Sequence, residues 1–264
     1  MTSAFDSIIC DIISSAPSGE IKEIYNDLKA LTGNKSNDSI LEAITAYNIE
    51  NCIPVNVDGE KVIISKYNKE GSKFFSPVTS TLFSVNHLDR VGLDLEKTDR
   101  SLTEEQQGIY DDLLKYTKNS FPGDVTFAVY PGAVESEFVI IIVSTKYSPG
   151  NYWNGHWKSE YVFNVNSGSL AGDVDVSVHY FEDGNVSFKF SKDITSEASP
   201  SSVVTVIREL ENELEKEMNA SFTNLNEKEF KLLRRRLPVT RSKINWGKGI
   251  GNYRLGKDSS QSQI

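Results

Sequence analysis

Cysteine is nearly absent from this chain: Cys10 and Cys52 are the only two in 264 residues. Two thiols in a chain of this length make no disulfide framework, so a reducing cytosol is the expected compartment. Long apolar runs are missing too. None approaches the roughly 18 residues that a membrane-spanning helix needs, so no span is expected. The N-terminal MTSAFDSIICDIISS has no basic start and no small-residue cleavage site, and reads as a first helix rather than a secretory leader. Histidine is scarce, with His87, His156 and His179 in unrelated contexts. HExxH, CxxC and G-x-S-x-G do not occur, which removes the common metalloprotease, thiol-redox and serine-hydrolase signatures. DVDVSVHYFEDG has acidic residues without the ligand order of a calcium loop. No catalytic residue, metal or cofactor is expected, and the chain is not read as an enzyme. His179 reads as a surface strand residue.

Charge is plentiful and divided. The net is −9, from 28 Lys and Arg against 37 Asp and Glu. Ten of the basic residues and one Glu lie within 228–257, which gives that segment +9 and leaves −18 on the remainder. An acidic body with a basic end is suited to present that end to something negative: an acidic protein surface, an anionic lipid or a nucleic acid. Within the basic end, Gly251 to Lys257 spells G-x-x-x-x-G-K, the opening of a phosphate loop. Asp258 stands where Ser or Thr would bind magnesium, and only seven residues follow Lys257. A phosphate loop must follow a strand and open a helix inside an α/β domain, so the match is an accident.

Apolar periodicity divides the rest. Phe5, Ile8, Ile9, Ile12 and Ile13 form one helical stripe, broken at Pro17-Ser18-Gly19. Ile21, Ile24, Tyr25, Leu28 and Leu31 form a second, stopped by Gly33; Ile40, Leu41, Ile44 and Tyr47 form a third. Asp58-Gly59 between β-prone runs predicts a hairpin. Thr103 and Gln106 are spaced as a capping box at the start of another helix. From 125 to 191 five consecutive runs separated by Asn166–Ser169 and Glu182–Asn185 predict an antiparallel meander. Val174, Val176 and Val178 alternate with Asp173, Asp175, Ser177 and His179, giving that strand one wet face, whereas FVIIIV does not alternate and should be buried on both. Ser199-Pro200 starts a long helix with Val203, Ile207, Leu210, Leu214 and Met218 as its stripe. NEKEFKLLRRR reads as another helical piece, and KDSSQSQI as a disordered tail.

The expected architecture is α+β: a three-helix bundle over 1–50, a small middle β and helix region over 51–122, a five-stranded antiparallel sheet over 123–198, a long helix on it over 199–226, and a basic amphipathic segment over 227–264. The aromatics Tyr147, Tyr152, Trp153, Trp157, Tyr161 and Phe163 read as sheet packing. A base-stacking platform would need interleaved cations, and only Lys146 and Lys158 are near.

The basic segment carries the functional reading. Lys231, Arg234, Arg235, Arg236, Arg241 and Lys243 fall within 13 residues. Trp246, Ile250 and Tyr253 then lie at i, i+4 and i+7 on one helix face. Gly247, Gly249 and Gly251 each cost about 1 kcal/mol in a helix, so this should be a marginal helix that orders by laying its apolar stripe in a groove.

LPVTRSKINW followed by YRLGK, together with FPGDVTFAVYP, NYWNGHW, VHYFEDGNVSF, NCIPVNVDG and SKYNKEG, resembles the alpha subunit of the F-actin capping protein in its fungal form, over about residues 5–257. The resemblance implies a beta-subunit partner of the same architecture, with the two sheets joined about a pseudo-two-fold axis. It implies that the heterodimer binds the barbed, fast-growing end of actin filaments and blocks subunit addition and loss, without calcium or nucleotide, at cortical actin patches in the cytoplasm. It also implies that the C-terminal segment touches actin through its basic residues: Lys231, Arg235 and Arg241 by position in the motif, with Lys243 added. Arg234 and Arg236 lie in the same strip, and Trp246, Ile250 and Tyr253 would supply the apolar anchor. Trp246, with Lys231 and Arg235, matches the residues tied to anionic phosphoinositides. The chain departs from the pattern in Arg236, which extends an Arg pair to three, and in its extra glycines. The alternative is an anionic-lipid or nucleic-acid binding module using the same tail.

Overall fold

The computed structural model describes residues 4–121, 123–182 and 185–225. The chain divides into two compact units, Met1–Arg208 and Glu209–Ile264, the second described as far as residue 225.

Three helices open the first unit: α1 (Ala4–Ser14), α2 (Ile21–Thr32) and α3 (Asn37–Glu50). Ile9 and Ile13 of α1, Ile21 and Leu28 of α2, and Ile40, Ile44 and Tyr47 of α3 interlock in one core with Ile53. The apolar stripes are wider than that core. Phe5, Ile8 and Ile12 on α1 are 45, 54 and 40% exposed, and Leu31 on α2 is 83% exposed. Three short helices meet along narrow seams, so only one edge of each stripe finds a neighbour.

The middle region folds into a six-stranded sheet ordered β2-β1-β6-β5-β4-β3, built from β1 (Pro54–Val57), β2 (Glu60–Ile63), β3 (Lys69–Glu70), β4 (Lys73–Ser76), β5 (Thr81–Asn86) and β6 (Val91–Lys97). β1 and β2 meet across Asp58-Gly59, whose φ angles of 54° and 91° belong to the primed hairpin turn that this dipeptide favours. β1 also pairs in parallel with β6, at Asn56 and Val91, and this joins the β1–β2 hairpin to the other four strands. Its core is Val55, Val57, Val62, Ile64, Phe74 and Phe83. On the outer side Val91, Leu93 and Leu95 remain nearly half exposed.

α4 (Glu104–Ser120) starts with the expected capping box. Gln106 N–H donates to Thr103 Oγ1 at 3.3 Å, and Thr103 N–H donates to Gln106 Oε1 at 3.0 Å. It is followed by the meander β7 (Asp124–Pro131), β8 (Glu137–Ser148), β9 (Trp153–Asn164), β10 (Ser169–Tyr180) and β11 (Val186–Glu197), which pair strictly in sequence order. Phe138 to Val143 of β8 are all buried, so both faces of this strand are covered. Tyr110 of α4 packs on Phe127 with ring centroids 4.9 Å apart. On the opposite face Val139, Ile141 and Val143 join Ala128, Tyr130, Cys52 and Ile63 in a second core.

One polar side chain ties the two sheets together. Asn68 is 3% exposed. Its Nδ2 donates to the carbonyls of Ile63 and Phe75 at 3.0 Å and reaches Tyr130 Oη at 3.2 Å; its Oδ1 accepts from Ser65 N–H at 2.8 Å. Tyr130 Oη donates in turn to the Ile63 carbonyl at 2.6 Å.

Gly172 of β10 lies where the sheet has no room. A Cβ there would fall inside van der Waals contact of the Glu160 carbonyl oxygen and 2.7 Å from Cδ1 of Tyr161, whose ring covers the glycine. Gly172→Ala should therefore destabilise the fold by about 1–3 kcal/mol through overpacking. Urea denaturation checks this, and an unchanged midpoint would show that the strands shift freely.

α5 (Val203–Asn224) begins three residues after the expected Pro200. A turn over 199–202 precedes it, and the Ser199 carbonyl accepts from Val203 N–H at 2.9 Å, so the serine still ends the helix through its backbone. Val203, Val204 and Ile207 are buried.

Candidate functional site

The residues singled out in the basic segment, Lys231, Arg234, Arg235, Arg236, Arg241, Lys243, Trp246, Ile250 and Tyr253, lie outside the described residues, as do the whole of the second helical piece and the C-terminal tail. The described part contributes two other features: an open sheet edge and a polar sheet face.

β11 offers the open edge. It is twelve residues long and, among the described residues, pairs only with β10. Polar and apolar residues alternate along it, and Val186 is 49% exposed. A long edge that no described strand pairs is a template for another strand.

The polar face lies on β9, β10 and β11, turned toward the helices. Cross-strand register sets its side chains in rows: Lys158, Asp175 and Ser191; His156, Ser177 and Lys189; Asn154, His179 and Ser187. The wet face expected for β10 is thus only half open, because the turn between α1 and α2 covers it. Glu20 of that turn accepts from Asn154 Nδ2 and bonds His179 Nδ1 at 2.8 Å, and His179 Nε2 is 2.7 Å from Asn185 Oδ1. His179 is therefore not a free surface residue: its side chain is only 13% exposed and clamps the helices to the sheet. Tyr147 Oη adds a bond to Glu23 Oε1 at 2.8 Å. Sequence spacing could not show this clamp, because its partners are 159 and 124 residues apart.

Among the aromatics, Tyr161 and Phe163 are fully buried, and Trp157 packs edge-on against Phe121 at 6.2 Å. Lys146 sits 5.3 Å over Trp153, while Tyr152 remains 45% exposed. The cluster serves sheet packing at one end, as read, and opens to solvent at the other.

His156 is the unexpected residue. It is 7% exposed, and neither ring nitrogen has a hydrogen-bond partner among the described residues. Burial pushes its pKa down from 6.5 to about 4, with Lys158 and Arg90 acting in the same direction against Asp175. The ring is neutral in the folded chain and protonates near 6.5 once unfolded. Its contribution to stability is complete above that pH and is lost as pH falls from 6.5 toward 4, to a limit of about 3 kcal/mol. His87, lowered to about 4 by burial and then by Lys69, works in the same sense. Denaturation midpoints at about pH 7.5 and 4.5 should therefore differ less for His156→Phe than for the parent chain. An equal pH dependence in both would mean that His156 already finds a partner when folded.

Three comparisons bear on identity. A family model described as F-actin capping protein alpha subunit matches residues 9–258. The chain is 51% identical over 263 residues to the F-actin-capping protein subunit alpha of Candida glabrata, covering 100% of both chains. It is 52% identical over 267 residues to that of Saccharomyces cerevisiae, covering 99% of each. Among solved structures, the homodimeric actin capping protein alpha subunit from Plasmodium berghei superposes with a TM-score of 0.72 at 23% identity, covering 91% of this chain and 99% of that one. At that identity the likeness is one of fold.

Proposed function

The chain belongs to the F-actin capping protein alpha subunit family, and on that premise we propose that it pairs with a beta subunit and caps the barbed ends of actin filaments through its basic C-terminal segment. Lys231, Arg234, Arg235, Arg236, Arg241 and Lys243 act as the charged strip that meets an acidic filament end. Trp246, Ile250 and Tyr253 lay an apolar stripe into a groove beside it. Binding is independent of calcium, involves no bond-making step, and blocks both subunit addition and subunit loss. The segment's charge of +9 against −18 on the rest of the chain supports this division of labour. Charge of opposite sign across an interface raises the encounter rate and fixes orientation. Lys231, Arg235 and Trp246 also form the site for anionic phosphoinositides. The complex acts in the cytoplasm, at cortical actin patches.

The open β11 edge fits the same reading, since a partner sheet placed there would satisfy its backbone groups. The observation that carries the proposal is the end-to-end likeness to fungal alpha subunits, which includes the basic segment. Co-expression with a beta subunit, followed by seeded actin elongation with a calcium chelator present, tests it. Barbed-end growth should stop at substoichiometric heterodimer. Growth at the control rate would overturn the proposal.

A further inference from the structure

The turn between α1 and α2 roofs a chamber of about 330 Å³ on the polar face of β9–β11. Ser14 to Ser18 form its roof, Tyr47 and Asn51 of α3 one wall, and the rows through Lys158, His156 and Asn154 its floor. We propose that this chamber binds a small oxyanion of the phosphate class, with His156, Ser177 and Lys158 as its donors and Lys189 at its mouth. Its proposed donors are not residues of the basic segment, and the proposal does not rest on capping.

Three observations lead there. First, His156 is buried on the chamber floor with both ring nitrogens unpaired. Buried polar groups are nearly always hydrogen-bonded, and an imidazole left without a partner points to one the protein does not itself supply. By choice of tautomer, either ring nitrogen presents an N–H to the chamber.

Second, two ammonium groups face the chamber as donors. Lys158 and Lys189 both line the chamber with Asp175; Asp173 and Glu160 act on Lys158 from the next row, and Glu20 is already engaged by Asn154 and His179. The Lys158 ammonium is 3.4 Å from Asp175 Oδ2, a loose pairing, and its side chain is only 11% exposed. It also donates to the Glu50 carbonyl at 3.5 Å; an ammonium has three donors, so these two long contacts leave one for a ligand. Arg90 adds positive potential at His156. A cationic ligand would meet the Lys158 and Lys189 ammoniums, and an apolar one would leave the lining groups unpaired.

Third, the dimensions and the lining match. The volume equals roughly ten waters, room for phosphate bearing a small substituent. Ser177 and Lys189 share a row with His156, and Lys158 is one row along, so donors converge from adjacent strands within side-chain reach.

A phosphate group could arrive free in solution or on a lipid headgroup. The full-length chain with its beta subunit is therefore titrated by calorimetry with inorganic phosphate, and separately with vesicles carrying phosphatidic acid. Saturable one-to-one binding of inorganic phosphate is expected, weakened about tenfold by Lys158→Gln or by His156→Phe. Ser177→Ala removes a hydroxyl from a half-buried position and should weaken binding even where His156→Phe does not fold. Phosphate binding without vesicle binding assigns the soluble source. Vesicle binding that Ser177→Ala weakens and phosphate competes away assigns the headgroup. No saturation by about 10 mM phosphate, a range that would reveal a Kd near 1 mM, overturns the site. Binding that persists unchanged in Lys158→Gln and Ser177→Ala belongs to the basic segment and overturns it equally.

Discussion

Reversing Lys231, Arg235 and Arg241 to Glu is expected to leave the chain folded and to weaken barbed-end capping by more than about tenfold, or about 1.4 kcal/mol. The three changes take the basic segment from +9 to +3 while the remainder stays at −18. Two effects then combine. The long-range attraction that guides encounter falls, which slows association and does so most at low ionic strength. Each reversed residue also brings a carboxylate against an acidic surface, and like charges in close contact cost far more than a missing attraction. Removing everything after residue 226 deletes the apolar stripe as well and should lower affinity by more than about a hundredfold. Seeded elongation over a range of heterodimer concentrations at two salt levels measures both. The idea fails if the truncated and intact complexes arrest growth at the same concentration. It fails in its residue assignment alone if truncation abolishes capping and the triple reversal leaves it unchanged.

Asn68→Leu should cost about 4 kcal/mol of folding stability, the largest loss expected from a single substitution in the described region. The amide satisfies the carbonyls of Ile63 and Phe75 and the N–H of Ser65, and it fixes the Tyr130 hydroxyl. Leucine fills a similar space and satisfies none of them. The Ile63 carbonyl keeps its bond from Tyr130 Oη, but the Phe75 carbonyl and the Ser65 N–H lose the amide while buried and carry that desolvation cost. Asn68→Asp is the informative companion. It keeps the acceptor toward Ser65 but loses both donors and faces two carbonyls with a carboxylate, so it should be no milder. Equilibrium denaturation gives the comparison, and a loss below about 1 kcal/mol would mean that water enters the junction and replaces the amide.

The local elements were legible in the chain because their determinants are local. The stripes of α1 to α3, the Asp58-Gly59 turn, the Thr103 box and the five runs of the meander each lie within a few residues of what specifies them. The apolar FVIIIV run correctly marked the strand covered on both faces. Wherever partners are distant, the reading thinned. The six-stranded sheet is joined through Asn56 and Val91, and its strands are two to seven residues long, too short for alternation to show. His179 looked solvated because nothing near it in sequence announces Glu20. His156 sits in NGHWKSEY like any polar strand residue, and only register places it and Lys158 beside Ser177 under the turn between α1 and α2. The exposed halves of the α1 and α2 stripes show the converse, since periodicity marks apolar faces without saying which of them meets a neighbour within the chain. The basic segment came from charge and spacing, but its role came from motif resemblance, because a cationic strip alone suits several kinds of acidic partner.

The twelve-residue rim strand β11 carries a consequence for supply inside a cell. A strand edge is a hazard for as long as it stays uncovered, and marginally folded chains of that kind are continually triaged by chaperones and proteases. Copies synthesised in excess of whatever covers the rim would be the ones cleared. The steady-state amount of this polypeptide would then track its scarcer companion rather than its own message, so raising its expression alone would yield degradation products instead of a larger working pool.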